Sequence, residues 1–121
     1  MKLRNWMADI DGKRDLMSLA IPGTHDSVTK YVQISHICKT QELTIREQLE
    51  IGIRALDIRV ESSGELLKMV HGIAKVFCTP NKLGKQMDLS YVLDQCYDFL
   101  RENPSETILF QLKNDSGKEN E

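Results

Sequence analysis

A chain of 121 residues, 40% hydrophobic and 28% charged, is sized for one globular domain with a core of its own. Its formal net charge of −2 offers no basic face, which excludes nucleic acid as a partner. No apolar run approaches the ~20 residues of a membrane span, and the basic opening Met1-Lys2-Leu3-Arg4-Asn5-Trp6 leads into no apolar stretch of a signal peptide.

Residues 3–9 predict a short helix carrying Trp6 and Met7, packed against one end of the fold. Leu16 to Ile21 is a compact apolar run stopped by Pro22-Gly23, which predicts a buried strand ending in a turn. Asp26 to Val32 predicts a helical turn, and the polar stretch 33–43, with His36 as a structural histidine, a loop. Thr44-Ile45-Arg46-Glu47 has the capping-box pattern, so a helix is expected from Ile45 to Ile51, ending at Gly52. Ile53 to Val60 reads as a strand with Leu56, Ile58 and Val60 on one face and Asp57 and Arg59 on the other.

Ser63-Gly64 marks a turn before a strand from Leu66 to His71. Between Ile73 and Met87 the pattern is weak; Lys75 to Cys78 suggests a short strand before the Pro80-Asn81 turn. Leu89, Leu93, Cys96 and Leu100 follow helical spacing, with Ser90 as the expected N-cap and Asn103-Pro104 as the stop. Thr107 to Lys113 reads as the last strand, with Ile108, Phe110 and Leu112 on one face and Gln111 and Lys113 on the other. The tail from Asn114 is polar and expected to fray. Cys38, Cys78 and Cys96 cannot all pair with one another, and their spacing fits neither a zinc ribbon nor a CxxC site. Each reads as a small core residue, Cys96 on the apolar face of its helix.

Strand, helix, strand, strand, helix, strand, with polar groups at strand C-terminal ends, predicts an α/β chain. The expected form is a partial (half) TIM-like β/α barrel of about four strands with intervening helices. Such barrels place their sites at the C-terminal rim, and a whole one takes ~250 residues. Residues 1–121 therefore read as the N-terminal half of a barrel.

His25 follows the first apolar run and His71 ends the third strand. Imidazole exchanges protons near neutral pH, its unperturbed pKa being about 6.5. Cleaving a phosphodiester by an internal hydroxyl needs a base for the nucleophile and an acid for the departing alkoxide. It also needs a cation for the charge growing on phosphate oxygens, and an arginine fork such as Arg59 supplies one without a metal. Asp26 and Asp57 are carboxylates suited to hold the two imidazoles. The same four His and Asp residues could be metal ligands, against which Arg59 argues. Asp57 and Arg59 could instead be an ion pair that fixes strand register.

The blocks Ile21-Pro22-Gly23-Thr24-His25-Asp26-Ser27, Gly52-Ile53-Arg54-Ala55-Leu56-Asp57-Ile58-Arg59 and Val70-His71-Gly72 resemble the X-domain of bacterial phosphatidylinositol-specific phospholipase C. So does Asn103-Pro104-Ser105-Glu106-Thr107-Ile108-Leu109-Phe110-Gln111-Leu112-Lys113, and the resemblance runs in order from about Trp6 to Lys113. It implies a distorted TIM barrel in which the inositol 2-hydroxyl attacks phosphorus, releasing diacylglycerol and a cyclic inositol phosphate. His25 matches the general base, His71 the general acid, and Asp26 the carboxylate that supports the acid. Arg59 matches the arginine on the phosphate and Lys113 a site lysine at the end of the fourth strand. Asp57 lines up with the acidic residue two before the arginine, with substrate binding as its expected role.

The calcium-dependent eukaryotic branch carries asparagine after the first histidine and an acidic residue where Arg59 stands, because those oxygens bind Ca²⁺. Asp26 and Arg59 break that pattern, so neither metal nor cofactor is expected. Val60 replaces a glycine that often follows the arginine. The family's partner for the base histidine lies in the second half of the barrel, so His25 is expected to lack one here and turnover to be weak. The expected partners are a phospholipid or inositol phosphodiester, the membrane surface that presents it, and either a second copy or the C-terminal half of the barrel. The alternative expectation is a non-catalytic half-barrel that binds an anionic phosphorylated ligand or assembles with another chain. Relatives of this kind are exported.

Overall fold

The computed structural model describes residues 2–81 and 84–115. Its centre is the strand β2, Ala55–Ser63, whose alternation sets everything around it. Leu56, Ile58 and Val60 are buried on one face, as the period of two requires, while Asp57 and Arg59 point the other way. Against the buried face lie α2 (Ile45–Glu50) and α3 (Leu89–Glu102), preceded in the chain by the single turn α1 (Ser35–Cys38). Ile45 and Leu49 from α2 and Val92, Cys96 and Phe99 from α3 close the core, with Met69 and Val76. A fully buried side chain of this kind contributes ~1.5–3 kcal/mol, so this layer holds the sheet to its helices.

Five strands form the sheet: β1 (Gly23–Thr24), β2, β3 (Leu66–His71), β4 (Ala74–Lys75) and β5 (Leu109–Asn114). Leu56 pairs with Thr24 of β1 and with Phe110 of β5, both in parallel. Val60 pairs with Met69 of β3 and with Asn114 of β5. Since a residue has two edges, β1 and β3 share one edge of β2 and β5 occupies the other. β3 runs antiparallel to β2, so after the Gly64 turn, at φ +65°, the chain comes back toward the middle of β2. The arc β1–β2–β5 is the parallel, barrel-like part, and the α/β half-barrel expectation holds with the addition of this hairpin.

Several local expectations hold. Thr44 Oγ1 accepts from the Glu47 amide at 3.2 Å while the Glu47 carboxylate accepts from the Thr44 amide at 2.9 Å. That amide, and then Lys30, holds the Glu47 carboxyl below its usual value. Gly52 follows α2 at φ +103°, a conformation that favours glycine. Cys96 is buried, which pushes its thiol up to about 11 and suits a packing residue. Val60 simply continues β2, buried against Met69.

Others need correction. Leu16 to Ile21 is not a strand: the Asp15 carboxylate accepts from the Met17 amide and turns Leu16–Ser18 into a 3₁₀ turn, leaving Met17 90% exposed. The first strand instead starts at Gly23, because Pro22 O is where the Arg54 and Ala55 amides find their acceptor. The short helix expected over residues 3–9 is present as a 3₁₀ helix, Leu3–Asp9, interrupted at Asn5. The expected loop 33–43 contains α1. Asp88, not Ser90, caps α3, its carboxylate accepting from the Tyr91 amide. The buried stripe of α3 is Val92, Cys96 and Phe99, with Leu89 and Leu100 flanking it. On β5, Leu112 is 50% exposed, since no layer covers that end of the strand among the described residues. The polar tail expected to fray lies mostly in residues 116–121, outside the described residues.

Candidate active site

The loop that follows β1 turns sharply, and Asp26 sits at φ +48° with no exposure. Left-handed backbone costs a non-glycine residue ~1–2 kcal/mol, with Asp and Asn the best tolerated. Hydrogen bonds on every side hold it there. The Asp26 amide donates to Asp57 Oδ2 at 3.0 Å, the Ser27 amide to Asp57 O at 2.9 Å, and the Asp57 amide to Ser27 Oγ at 2.9 Å. From α2, buried Gln48 donates to Ser27 O at 2.8 Å and accepts from Thr24 Oγ1 at 2.7 Å. From the segment after α1, Gln41 Nε2 donates to His25 O at 2.6 Å, and the Thr40 hydroxyl lies 3.1 Å from the carbonyls of both His25 and Asp26.

Upon this scaffold five of the six expected residues meet. His25 Nδ1 lies 3.1 Å from Asp57 Oδ2, and His71 Nδ1 contacts Asp26 Oδ2. Arg59 ties the two carboxylates together: its Nη2 donates to Asp57 Oδ2 at 3.2 Å, and its Nε stands 3.6 Å from Asp26 Oδ1. The second distance is a charge contact too long for a hydrogen bond, and both atoms are buried without one. A carboxylate only accepts, so His71 Nδ1 donates to Asp26, whereas His25 Nδ1 stands between Asp57 Oδ2 and, at 3.5 Å, Arg59 Nη2. Asp57 was expected to bind substrate and His25 to lack a carboxylate within the chain. The structure sets Asp57 Oδ2 3.1 Å from His25 Nδ1, an ion-pair contact made within the chain.

The hairpin explains how His71 arrives. The register that pairs Ser63 with Leu66 and Val60 with Met69 brings the chain, two residues on, to the level of Ile58. A fully parallel arrangement would have carried His71 to the far rim. Lys113, the sixth residue, stands in register with Arg59 on β5 and is exposed on the same face of the sheet, as Gln111 does beside Asp57. His36 lies on α1, away from this cluster of contacts.

Electrostatics follow the geometry. Burial works against the Asp57 charge, yet the Asp26 amide and the Arg59 guanidinium outweigh it and hold the carboxyl below its ordinary value. Burial likewise opposes the Arg59 charge, and Asp57 and Asp26 more than restore it. A cavity of about 550 Å³ opens beside His25 and Asp57, floored by Leu56 and Phe110 and reaching Gln111. Ser27, Gln48, Thr40, Gln41 and Gln111 escaped sequence reasoning. Gln48 left a signal, a polar residue between the core positions Ile45 and Leu49. Thr40 and Gln41 left none. Among the described residues no group of three or more His, Cys, Asp or Glu side chains is arranged to hold a metal ion.

A family model described as PI-PLC X 1 matches residues 12–120. The chain is 33% identical over 117 residues to a 1-phosphatidylinositol phosphodiesterase of Listeria monocytogenes, covering 93% of this chain and 33% of that protein. It is 32% identical over 115 residues to a protein of the same description from Staphylococcus aureus, covering 92% and 34%. The solved phosphatidylinositol-specific phospholipase C from Listeria monocytogenes superposes with a TM-score of 0.81 at 30% identity, over 99% of this chain and 41% of that one. The chain thus spans about a third of the length of the curated relatives it matches.

Proposed function

This chain belongs to the PI-PLC X family, and on that premise we propose that it carries the acid–base half of a metal-independent phosphatidylinositol-cleaving site. His25 Nε2 takes the proton of the inositol 2-hydroxyl as its oxygen attacks phosphorus. The bond from phosphorus to the glycerol oxygen breaks, and His71 Nε2 gives that oxygen its proton. Diacylglycerol leaves, and the inositol retains a cyclic phosphate. Arg59 offsets the charge on the phosphate oxygens, Asp26 and Asp57 hold the two rings, and Lys113 reaches the substrate from β5.

One observation carries this reading: two imidazoles, each with Nδ1 against its own carboxylate, whose carboxylates share a single guanidinium. The guanidinium occupies the ground between the acidic oxygens, which supports electrostatic work by arginine rather than by a cation. Because the cavity beside His25 is open, turnover by this chain alone is expected to be slow. Incubation with phosphatidylinositol micelles, followed by ³¹P NMR, should give cyclic inositol phosphate at a rate indifferent to EDTA. Loss of the product with EDTA overturns metal independence, and a complete lack of it overturns catalysis by this chain.

A second reading has its own support. The outer edge of β5 meets no strand among the described residues, and Leu112 is half exposed beside it. Unpaired strand edges drive association, so pairing with a second copy or with further barrel strands belongs to the proposal. Size-exclusion chromatography with light scattering giving a monomer at high concentration removes the homodimer.

A further inference from the structure

We infer that Asp115 is a positioning residue for His71, acting as a latch between the end of β5 and the turn that carries the histidine; this rests on His71 being the acid. His71 pairs with Ala74, so Gly72 and Ile73 form a two-residue hairpin loop. Gly72 has φ +58° and Ile73 is not in the left-handed region, which is the pattern of a type II′ turn. The closing hydrogen bond of such a turn uses the residues at its ends, leaving the amide of its first central residue unused. That amide is Gly72 N–H, and Asp115 Oδ2 accepts from it at 2.7 Å. A bond of this length to a carboxylate belongs to the strong, charge-assisted class.

The carboxylate is mounted on a fixed base. Asp115 donates its own amide to Val60 O at 2.9 Å, extending the β2–β5 ladder one residue beyond the Asn114–Val60 pair. The latch therefore joins the strand bearing Arg59, the strand bearing Lys113 and the hairpin bearing His71. Its charge also acts on Arg59, third in a set of carboxylates with Asp57 and Asp26. Ile73, at the tip of the turn, is 95% exposed, so its side chain does little to fix the loop in its place. Without Asp115 the turn is held only through the β3 and β4 ladders, with no tie at its tip, and the His71 ring loses its alignment with the leaving oxygen.

Two variants separate geometry from charge. Asp115→Ala removes both acceptor and charge, whereas Asp115→Asn keeps an oxygen for Gly72 N–H. In ¹H–¹⁵N spectra of the 121-residue chain, Asp115→Ala should move the Gly72 amide upfield and perturb the His71 ring nitrogens, with Asp115→Asn restoring most of both. In the phosphatidylinositol assay Asp115→Ala should lower kcat roughly 10- to 100-fold with KM little changed, the size expected of a misplaced catalytic group, and Asp115→Asn should recover most of it. An unmoved Gly72 amide in Asp115→Ala, or equal losses in the two variants, overturns the latch. Intact spectral effects in a chain without turnover uphold the latch and instead overturn the catalytic reading.

Discussion

Arg54, just before β2, and Arg59, five residues on within its parallel part, are used by the protein in opposite ways. Arg54 has no exposed surface. Its Nε and Nη2 meet Glu106 Oε2 at 2.9 and 2.8 Å, its Nη1 meets the carbonyls of Leu49 and Ile53, and its Nη2 that of Arg4. The guanidinium also lies 4.7 Å from the Phe99 ring centroid. It thereby sews the N-terminal 3₁₀ segment, the end of α2 and the approaches to β2 and β5 into one knot. Arg59 has the same side chain and is given less: a hydrogen bond to Asp57, a 3.5 Å contact with His25 Nδ1, a longer charge contact with Asp26, and a buried Nε without a hydrogen-bond partner. One arginine is saturated by the chain, and the other is the one proposed to meet a phosphate. The first arrangement serves stability at the N-terminal ends of the strands, and under the proposed function the second serves chemistry at their C-terminal ends, the division usual in β/α barrels.

Breaking the saturated end should produce the largest loss. Glu106→Ala leaves Arg54 buried and unpaired, which is expected to cost ~3–5 kcal/mol of unfolding free energy. Urea titration of the variant measures it, and a loss under ~1 kcal/mol would show the knot to be held by the carbonyls alone. At the other end, Asp26→Asn should do the reverse. Asparagine accepts the left-handed backbone of this position and keeps an acceptor oxygen, so the stability loss should stay below that of Glu106→Ala. Turnover should fall by ~10²-fold or more as His71 loses its anionic partner. Retained activity in Asp26→Asn would erase the contrast between the two ends.

The smallest effect concerns pH. Asp57 has a carboxyl held below its ordinary value in the folded protein, so its contribution to stability is complete above the unfolded pKa near ~4. That contribution is lost as pH falls through the lowered native value. The difference in unfolding free energy between the native chain and Asp57→Asn should therefore be present at pH 7 and shrink in acid. A difference that grows on acidification contradicts the sign of the shift.

What the amino-acid order determined by itself was local. The alternation of Leu56, Asp57, Ile58, Arg59 and Val60 assigned each side chain to a face, because side-chain direction in a strand depends only on parity. Thr44 and Glu47 announced the start of α2, since a capping box is made within four residues. His25, Asp26, Asp57, Arg59 and His71 were recognisable from short blocks, each complete in its own sequence. Tertiary structure decided what those blocks face. It set Asp57 beside His25, returned His71 to the site through an antiparallel hairpin, and matched Arg54 with Glu106 across 52 positions. It also turned the apolar run from Leu16 outward, because the amides of Arg54 and Ala55 take their acceptor at Pro22 and so fix where β1 begins. Pairings between distant residues leave no trace in local periodicity: they are chosen by register, burial and the need of each buried polar group for a partner, and those exist only once the strands have come together.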